Sequence, residues 1–190
     1  MRQPIITNVK VYGLDESIAA SKYPFAVDPS DCTSDVTKTV KKLGAAKMGS
    51  GEDTYLQGII AQFDLTLPLK VWVEAQRYHF LDFVSSMSTV HCITKMDVDE
   101  QCNEYVYDTT KCMLQMDIDE YNKNPSEELF KRIINNIPSG FCYTARMTTN
   151  YRQLKTIYHQ RRKHRLEPWR EFCKAVEQFP MFKELVLGEE

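Results

Sequence analysis

The segment from residue 57 to residue 67 restricts the possible folds of this chain most strongly. Apolar side chains recur there at every second position: Ile59, Ala61, Phe63, Leu65 and Leu67. Gln62, Asp64 and Thr66 lie between them. Because successive side chains of a strand point to opposite faces, the pattern predicts a β-strand with one buried face. Pro68 then begins a stretch through about Val84 for which we expect a long helix. A one-sided strand followed by long helices favours an α+β fold.

Other elements are predicted from local patterns. The segment 5–12 alternates like a strand, and 141–147 is expected to be a short extended piece. Helices are expected over 15–22 and 35–43, with a glycine-rich break at 44–51. A further helix is expected to start at a capping box formed by Asn124, Pro125 and Glu127 and to end before Pro138. The segment 97–103 is expected to be a polar connection.

The composition favours one domain. The chain has 190 residues, of which 43% are hydrophobic, and this suffices for a single core, so we expect one domain over residues 1–190. A net charge of −2 gives no overall attraction to nucleic acid or membrane. No apolar run reaches the roughly 20 residues that span a bilayer, and no signal-peptide core is present. We therefore expect a cytoplasmic protein.

Six cysteines are scattered without a C-x-x-C pair: Cys32, Cys92, Cys102, Cys112, Cys142 and Cys173. We expect them to be reduced and mostly buried rather than joined in disulfides. The neighbours His91 and Cys92 have no second pair at ligand spacing. No metal site is therefore expected.

Residues 148–176 predict two helices joined by a basic turn. Asn150 is a candidate N-cap for the first helix, and Pro168 is suited to start the second. Six basic residues lie in or between them: Arg152, Lys155, Arg161, Arg162, Lys163 and Arg165. Such a cluster attracts phosphate, and a partly buried arginine can also hydrogen-bond a planar, electron-rich ring. The alternative is that these residues form the solvated face of an amphipathic helix.

This segment resembles the C-terminal helix pair of the flavin-dependent thymidylate synthases. Their pattern is T-x-N-x-R-x-L, an Arg seven residues after that Leu, and then a helix led by Trp. Asn150, Arg152, Leu154 and Arg161 fall on the pattern, and Trp169 does so after a one-residue shift. The resemblance therefore extends over both helices of the segment.

The first half of the chain resembles the same family more weakly. There an H-E-T-P-F-E-H-like turn and a strand lead into a helix with the signature R-H-R-x-x-S-x-N-E-x-S-x-R-Y. Thr54, Pro68 and Arg77 fall on matching positions. The other signature positions carry different residues: Tyr78 for His, His79 for Arg, Asp82 for Ser, Val84 for Asn, Ser85 for Glu, Met87 for Ser, and Thr89 and Val90 for the final Arg-Tyr.

The resemblance implies a single α+β domain with an antiparallel or mixed sheet and long helices, assembled as a homotetramer with sites where subunits meet. It implies binding of FAD and of a pyrimidine nucleotide such as dUMP. The implied reaction is reductive methylation, with NADPH supplying hydride and methylenetetrahydrofolate the methylene group. Because the signature is largely replaced, the alternative is a nucleotide-binding protein without turnover, acting as a sensor or in sequestration.

The resemblance also implies roles for individual residues. Arg161 would be the catalytic residue, binding the pyrimidine ring and polarising it, since a guanidinium offers a permanent charge and planar donors. FAD would be bound by Thr54, Arg77 and Asn150, and the nucleotide by Arg77 and Arg161. Because most signature residues are replaced, we expect His79 to take over contacts to FAD, and Ser85, Ser86 and Arg146 to take over contacts to the nucleotide.

Overall fold

Four strands form one antiparallel sheet in the computed structural model, which describes residues 4–189. The strands are β1 (Ile6–Tyr12), β2 (Ile60–Pro68), β3 (Asp82–Ser86) and β4 (Cys142–Asn150), in the spatial order β1-β2-β4-β3. The α+β class predicted from the sequence is confirmed. The strands predicted at 5–12, 57–67 and 141–147 are also confirmed, with small shifts of their ends.

Strand β2 has the alternation that its sequence predicts. Ala61, Phe63, Leu65 and Leu67 are all fully buried, whereas the residues between them are half-buried. A one-residue slip would reverse every side chain, so this pattern fixes the face that β2 presents to the core.

The helices occupy most of the remaining chain. They are α1 (Leu14–Ala20), α2 (Lys38–Gly44), α3 (Leu69–Ala75), α4 (Thr89–Cys92), α5 (Val98–Gln101), α6 (Asp108–Lys123), α7 (Glu127–Asn135), α8 (Tyr151–Arg161) and α9 (Glu167–Val176). Short 3-10 turns lie at Tyr23–Phe25, Pro29–Asp31, Thr54–Gln57 and Ile93–Lys95, and a π-helical turn lies at Lys183–Leu187. Within residues 4–189, no helix is both long and apolar enough to cross a membrane.

The chain divides into two compact units, so the prediction of one domain over residues 1–190 stays a prediction. The described residues of the first unit lie within Met1–Asp64, Tyr78–Val84 and Arg146–Glu190. Its core is built on aromatic contacts: the Phe63 ring lies 6.2 Å from that of Phe172 and 5.4 Å from that of Phe179. Such tilted and edge-on pairs add to the free energy of burial.

The second unit comprises Leu65–Arg77 and Ser85–Ala145. Its core cluster consists of Ile93, Val98, Leu114, Ile118, Leu129, Ile133 and Phe141. The Trp72 ring stacks on that of Tyr143 at 5.0 Å, and its Nε1 donates to the Tyr143 carbonyl at 3.2 Å. The buried indole thus has both an apolar contact and a partner for its N–H group.

The long helix predicted from Pro68 to about Val84 is wrong. Helix α3 ends at Ala75, and Asp82–Ser86 form strand β3 instead. Phe80 has a φ of 62°, which a right-handed helix cannot contain. The helical spacing of aromatic residues in this segment was therefore misleading.

Two smaller predictions also need correction. Helix α7 is capped by Ser126, whose Oγ accepts from the Leu129 N–H at 3.2 Å, and not by Asn124. Asp97 caps the short helix α5 within the segment expected to be a connection. Helix α6 had not been predicted at all.

The predicted helices at 15–22 and 35–43 are confirmed as α1 and α2 within a few residues. All six cysteines are free thiols, but Cys173 alone among them is buried, four are half-buried and Cys112 is exposed. The expectation that they are mostly buried is therefore wrong.

Candidate functional site

A cavity of about 410 Å³ lies beside the first turns of α8, within the first unit. Its lining residues are Met48, Gly49, Asp53, Gln57, Phe80, Asn150, Arg152, Gln153 and Thr156. The volume falls in the range of roughly 300–1,000 Å³ that is typical of small-molecule sites. The lining combines apolar surface, to which Phe80 and Met48 contribute, with amide, hydroxyl and guanidinium groups of the other residues.

Asn150 fixes the geometry at the start of α8. Its backbone is extended, and its Oδ1 accepts from the N–H of Gln153 at 2.9 Å. The predicted N-cap is therefore confirmed. Because the cap sets where the first turn begins, it also sets the direction in which Arg152 and Gln153 leave the helix.

A buried charge network attaches the loop of residues 44–53 to α8. The Nζ of Lys155 donates to the carbonyls of Gly44 at 2.7 Å and Ala46 at 2.6 Å, and to Asp53 Oδ2 at 2.7 Å. The other oxygen of Asp53 accepts from Arg152 Nε at 3.0 Å. Lys155 and Asp53 are each 1% exposed, which is tolerated because all three ammonium hydrogens have acceptors. The network holds both the loop and Arg152 at the cavity.

Arg161 lies at the C-terminal end of α8 and is only 7% exposed. Its Nε donates to the Tyr78 hydroxyl at 2.6 Å, and its Nη1 lies 2.9 Å from His164 Nε2. The guanidinium carbon is 5.4 Å from the centre of the Tyr78 ring and 4.6 Å from that of the Trp169 ring. Both distances are within the range of cation–π attraction. The alternative of a solvated helix face is therefore wrong for Arg161.

The other basic residues of the segment divide by burial. Lys155 is buried, whereas Arg162, Lys163 and Arg165 are exposed, as expected for a solvated face.

Tyr78 also donates to Gln160 Oε1 at 2.9 Å and contacts the Trp169 ring edge-on at 5.9 Å. Its hydroxyl thus links two residues of the last turn of α8.

The remaining candidates of the first unit have different environments. Thr54 is exposed on the 3-10 turn next to Asp53, and its hydroxyl donates to the Gly51 carbonyl. His79 is exposed and directly precedes Phe80. Neither side chain lines the cavity, although each is adjacent in sequence to a residue that does.

Arg146 is half-buried on β4, where its guanidinium is engaged by other residues of the first unit. Its Nη1 donates to the Asn8 carbonyl at 2.7 Å and to Asp64 Oδ1 at 3.2 Å. Arg77, Ser85 and Ser86 are exposed residues of the second unit.

Of the candidates inferred from the resemblance, Asn150 lines the cavity. Phe80 and Gln153 also line the cavity without having been predicted as site residues, and Arg152 had been predicted only as a member of the basic cluster and of the family pattern. The N-cap at Asn150 was the available signal for Arg152 and Gln153, since it places both in the first turn. Within residues 4–189, no group of three or more His, Cys, Asp or Glu side chains could hold a metal ion.

Two titratable side chains near this region have shifted pKa values. Burial, followed by the charges of Arg162 and Lys155, lowers the pKa of His159. Burial, followed by the charge of Asp53, raises the pKa of Tyr55, whose hydroxyl donates to the Val40 carbonyl. Both shifts favour the neutral form of the side chain.

Comparison with solved structures shows a similar fold in the flavin-dependent thymidylate synthase ThyX from Helicobacter pylori, in two crystal structures with FAD and dUMP. Each gives a TM-score of 0.71 at 12% sequence identity, over 95% of this chain and 97% of that chain. The sequence matches no protein-family model and no curated protein. The likeness thus establishes that this chain has a fold like that of ThyX.

Proposed function

We propose that this protein is a divergent member of the flavin-dependent thymidylate synthase type that binds FAD and a dUMP-like pyrimidine nucleotide. The observation that carries the proposal is the cavity beside α8, where Asn150, Arg152 and Gln153 present polar groups. It is supported by the fold, which resembles that of a protein crystallised with both FAD and dUMP. Binding of these nucleotides is the part of the proposal that the cavity supports most directly.

The groups around the cavity suit the ring of a flavin. Its edge presents carbonyl oxygens and ring nitrogens, which amides and guanidinium groups hydrogen-bond well. Asp53 takes one of the five N–H donors of Arg152, and the amides of Gln57 and Gln153 add donors and acceptors. A lining that joins apolar surface to these polar groups, and a volume of about 410 Å³, therefore fit a flavin ring.

A bound flavin would supply the hydride chemistry that links NADPH to the methylene group of methylenetetrahydrofolate. The residues of the chain would bind and orient the reactants. Arg152 would stabilise negative charge on the ring or on a phosphate. Lys155 and Asp53 would hold Arg152 in place, so that little reorganisation accompanies binding.

The wider assignments belong to the same proposal and rest on the sequence. The residues proposed to contact FAD are Thr54, Arg77, His79 and Asn150. The nucleotide contacts are those of Arg77, Ser85, Ser86, Arg146 and Arg161. We also include assembly as a homotetramer and a cytoplasmic location.

A second candidate is nucleotide binding without turnover, as in a sensor or a sequestering protein. It is favoured by the environment of Arg161, whose guanidinium lies against the Tyr78 and Trp169 rings and hydrogen-bonds to Tyr78. A residue that polarises a substrate must contact it, and Arg161 is only 7% exposed. Under this candidate, Arg161 stabilises the fold.

The absorption spectrum of the purified protein tests the proposal. Flavin bands that bleach when NADPH is added, with formation of dTMP from dUMP and methylenetetrahydrofolate, would support the synthase. Binding of FAD or dUMP without bleaching or product would support the second candidate. If the protein binds neither, both candidates fail.

A further inference from the structure

Phe80 combines three features that a surface phenylalanine rarely has together. Its backbone is left-handed with a φ of 62°, its side chain is 67% exposed, and it lines the cavity beside α8. A bulky residue disfavours this conformation because its Cβ approaches the following carbonyl oxygen. Burial of the ring compensates little for this strain, since most of it is in contact with solvent.

The residues around Phe80 explain how the strain is maintained. Tyr78 is fixed by hydrogen bonds to Gln160 and Arg161, and Leu81 is buried with 4% exposure. Because both positions are fixed, the backbone must change direction within His79 and Phe80. The backbone strain is thus imposed by the surrounding structure, a situation that is common at ligand sites.

We propose that Phe80 is the stacking wall of the cavity and that it selects ligands with a planar heterocyclic ring. This inference rests on the proposed nucleotide binding and names a specificity-determining residue for it. An aromatic face attracts a flat ring by offset stacking, whereas a bare phosphate or a sugar phosphate gains nothing from it. Arg152 and Gln153 would then bind the edge of the ring while Phe80 contacts its face.

Three substitutions separate the ring from the strained backbone. Phe80→Gly removes the ring and tolerates the left-handed conformation, so stability should be kept or increased, with a rise in Tm of about 2–4 °C. Phe80→Leu keeps an apolar side chain without a planar face. Phe80→Tyr keeps the planar face and serves as the matched control.

The experiment is a titration of each purified variant with FAD, followed by quenching of flavin fluorescence, together with a thermal unfolding curve. We expect FAD affinity to fall about tenfold in Phe80→Gly and Phe80→Leu and to change less than about twofold in Phe80→Tyr. Riboflavin should compete with FAD, whereas inorganic phosphate at the same concentration should not.

Several outcomes would overturn the inference. Equal FAD affinity in the wild type and Phe80→Gly would do so while leaving the proposed function intact. A large loss of Tm in Phe80→Gly would show that the Phe80 ring supports the fold. Competition with FAD by phosphate but not by riboflavin would show that the ring of the ligand is not recognised. If the wild type binds neither FAD nor dUMP, the proposed function fails and this inference fails with it.

Discussion

The Nε of Arg161 donates a hydrogen bond of 2.6 Å to the hydroxyl of Tyr78. Arg161 falls on the C-terminal pattern of the synthases, whereas Tyr78 stands where their signature has histidine. A residue that matches the synthase pattern and one that differs from it are thus hydrogen-bonded to each other. Because of this hydrogen bond, Arg161 contributes to the fold and is also a candidate site residue.

Tyr78→Phe should reduce the free energy of unfolding by about 1–3 kcal/mol. The substitution keeps the ring beside Arg161 but removes the acceptor of a buried, charged donor. Urea denaturation measures the change. Tyr105→Phe is the matched control, because Tyr105 is 73% exposed and should tolerate the change without effect. Equal stability of Tyr78→Phe and the wild type would contradict the structural role of this hydrogen bond.

Lys155→Met should reduce the free energy of unfolding by about 3–5 kcal/mol, because it leaves the buried Asp53 without its closest cation. Lys163→Met, at an exposed lysine eight residues further along the chain, should have no measurable effect. In a double-mutant cycle with Asp53→Asn, we expect a coupling free energy of about 1–3 kcal/mol. Additive effects would show that Lys155 and Asp53 act independently.

Alkaline pH should weaken the fold partly through Tyr158. Burial, followed by a hydrogen bond to Glu177 and the charge of Glu177, raises the pKa of Tyr158 to about 12. Because this pKa lies above the unfolded value of about 10, the contribution of Tyr158 is complete below pH 10 and is lost as the pH rises to 12.

In Tyr158→Phe, the decline of unfolding free energy between pH 10 and 12 should therefore be shallower, by at most about 1.4 kcal/mol per pH unit. Chemical denaturation at a series of pH values measures the slope. Tyr12→Phe, at an exposed position, is the control. A slope identical to that of the wild type would refute the assignment to Tyr158.

Ser126→Ala should cost about 0.5–2 kcal/mol of stability, because it removes the oxygen that caps α7. Asn124→Ala changes the C-cap residue of α6, whose side chain donates only to the exposed side chain of Glu120, and should cost less. Thermal or urea unfolding of the two variants compares them directly. A larger loss for Asn124→Ala would restore the capping box expected from the sequence.

Local patterns predicted the parts of the fold that depend on local physics. The alternation at Phe63 and its neighbours predicted β2, and the side chain of Asn150 predicted the start of α8. The segment around Phe80 was misassigned, because its backbone is determined by contacts of Tyr78 with α8 that are distant in sequence. Burial of Lys155 was likewise unpredictable, since three acceptors from a remote loop make it possible.

The candidate site was predictable only in part. The basic segment indicated the region, and the cap at Asn150 gave the helix register on which Arg152 depends. The contact between Arg152 and Asp53 joins residues about a hundred positions apart, so no local pattern contains it. The sequence emphasised Arg161, whereas the cavity is lined by Arg152 at the other end of the same helix.

The most direct test of the proposed function is a calorimetric titration of FAD into the wild type and Arg152→Lys. We expect saturable binding to the wild type and about tenfold weaker binding to Arg152→Lys, which keeps the charge next to Asp53 but loses the planar fork of donors. Arg165→Lys, at an exposed position, should bind like the wild type. No binding to the wild type, or equal affinities for Arg152→Lys and the wild type, would contradict the assignment of this cavity as the flavin site.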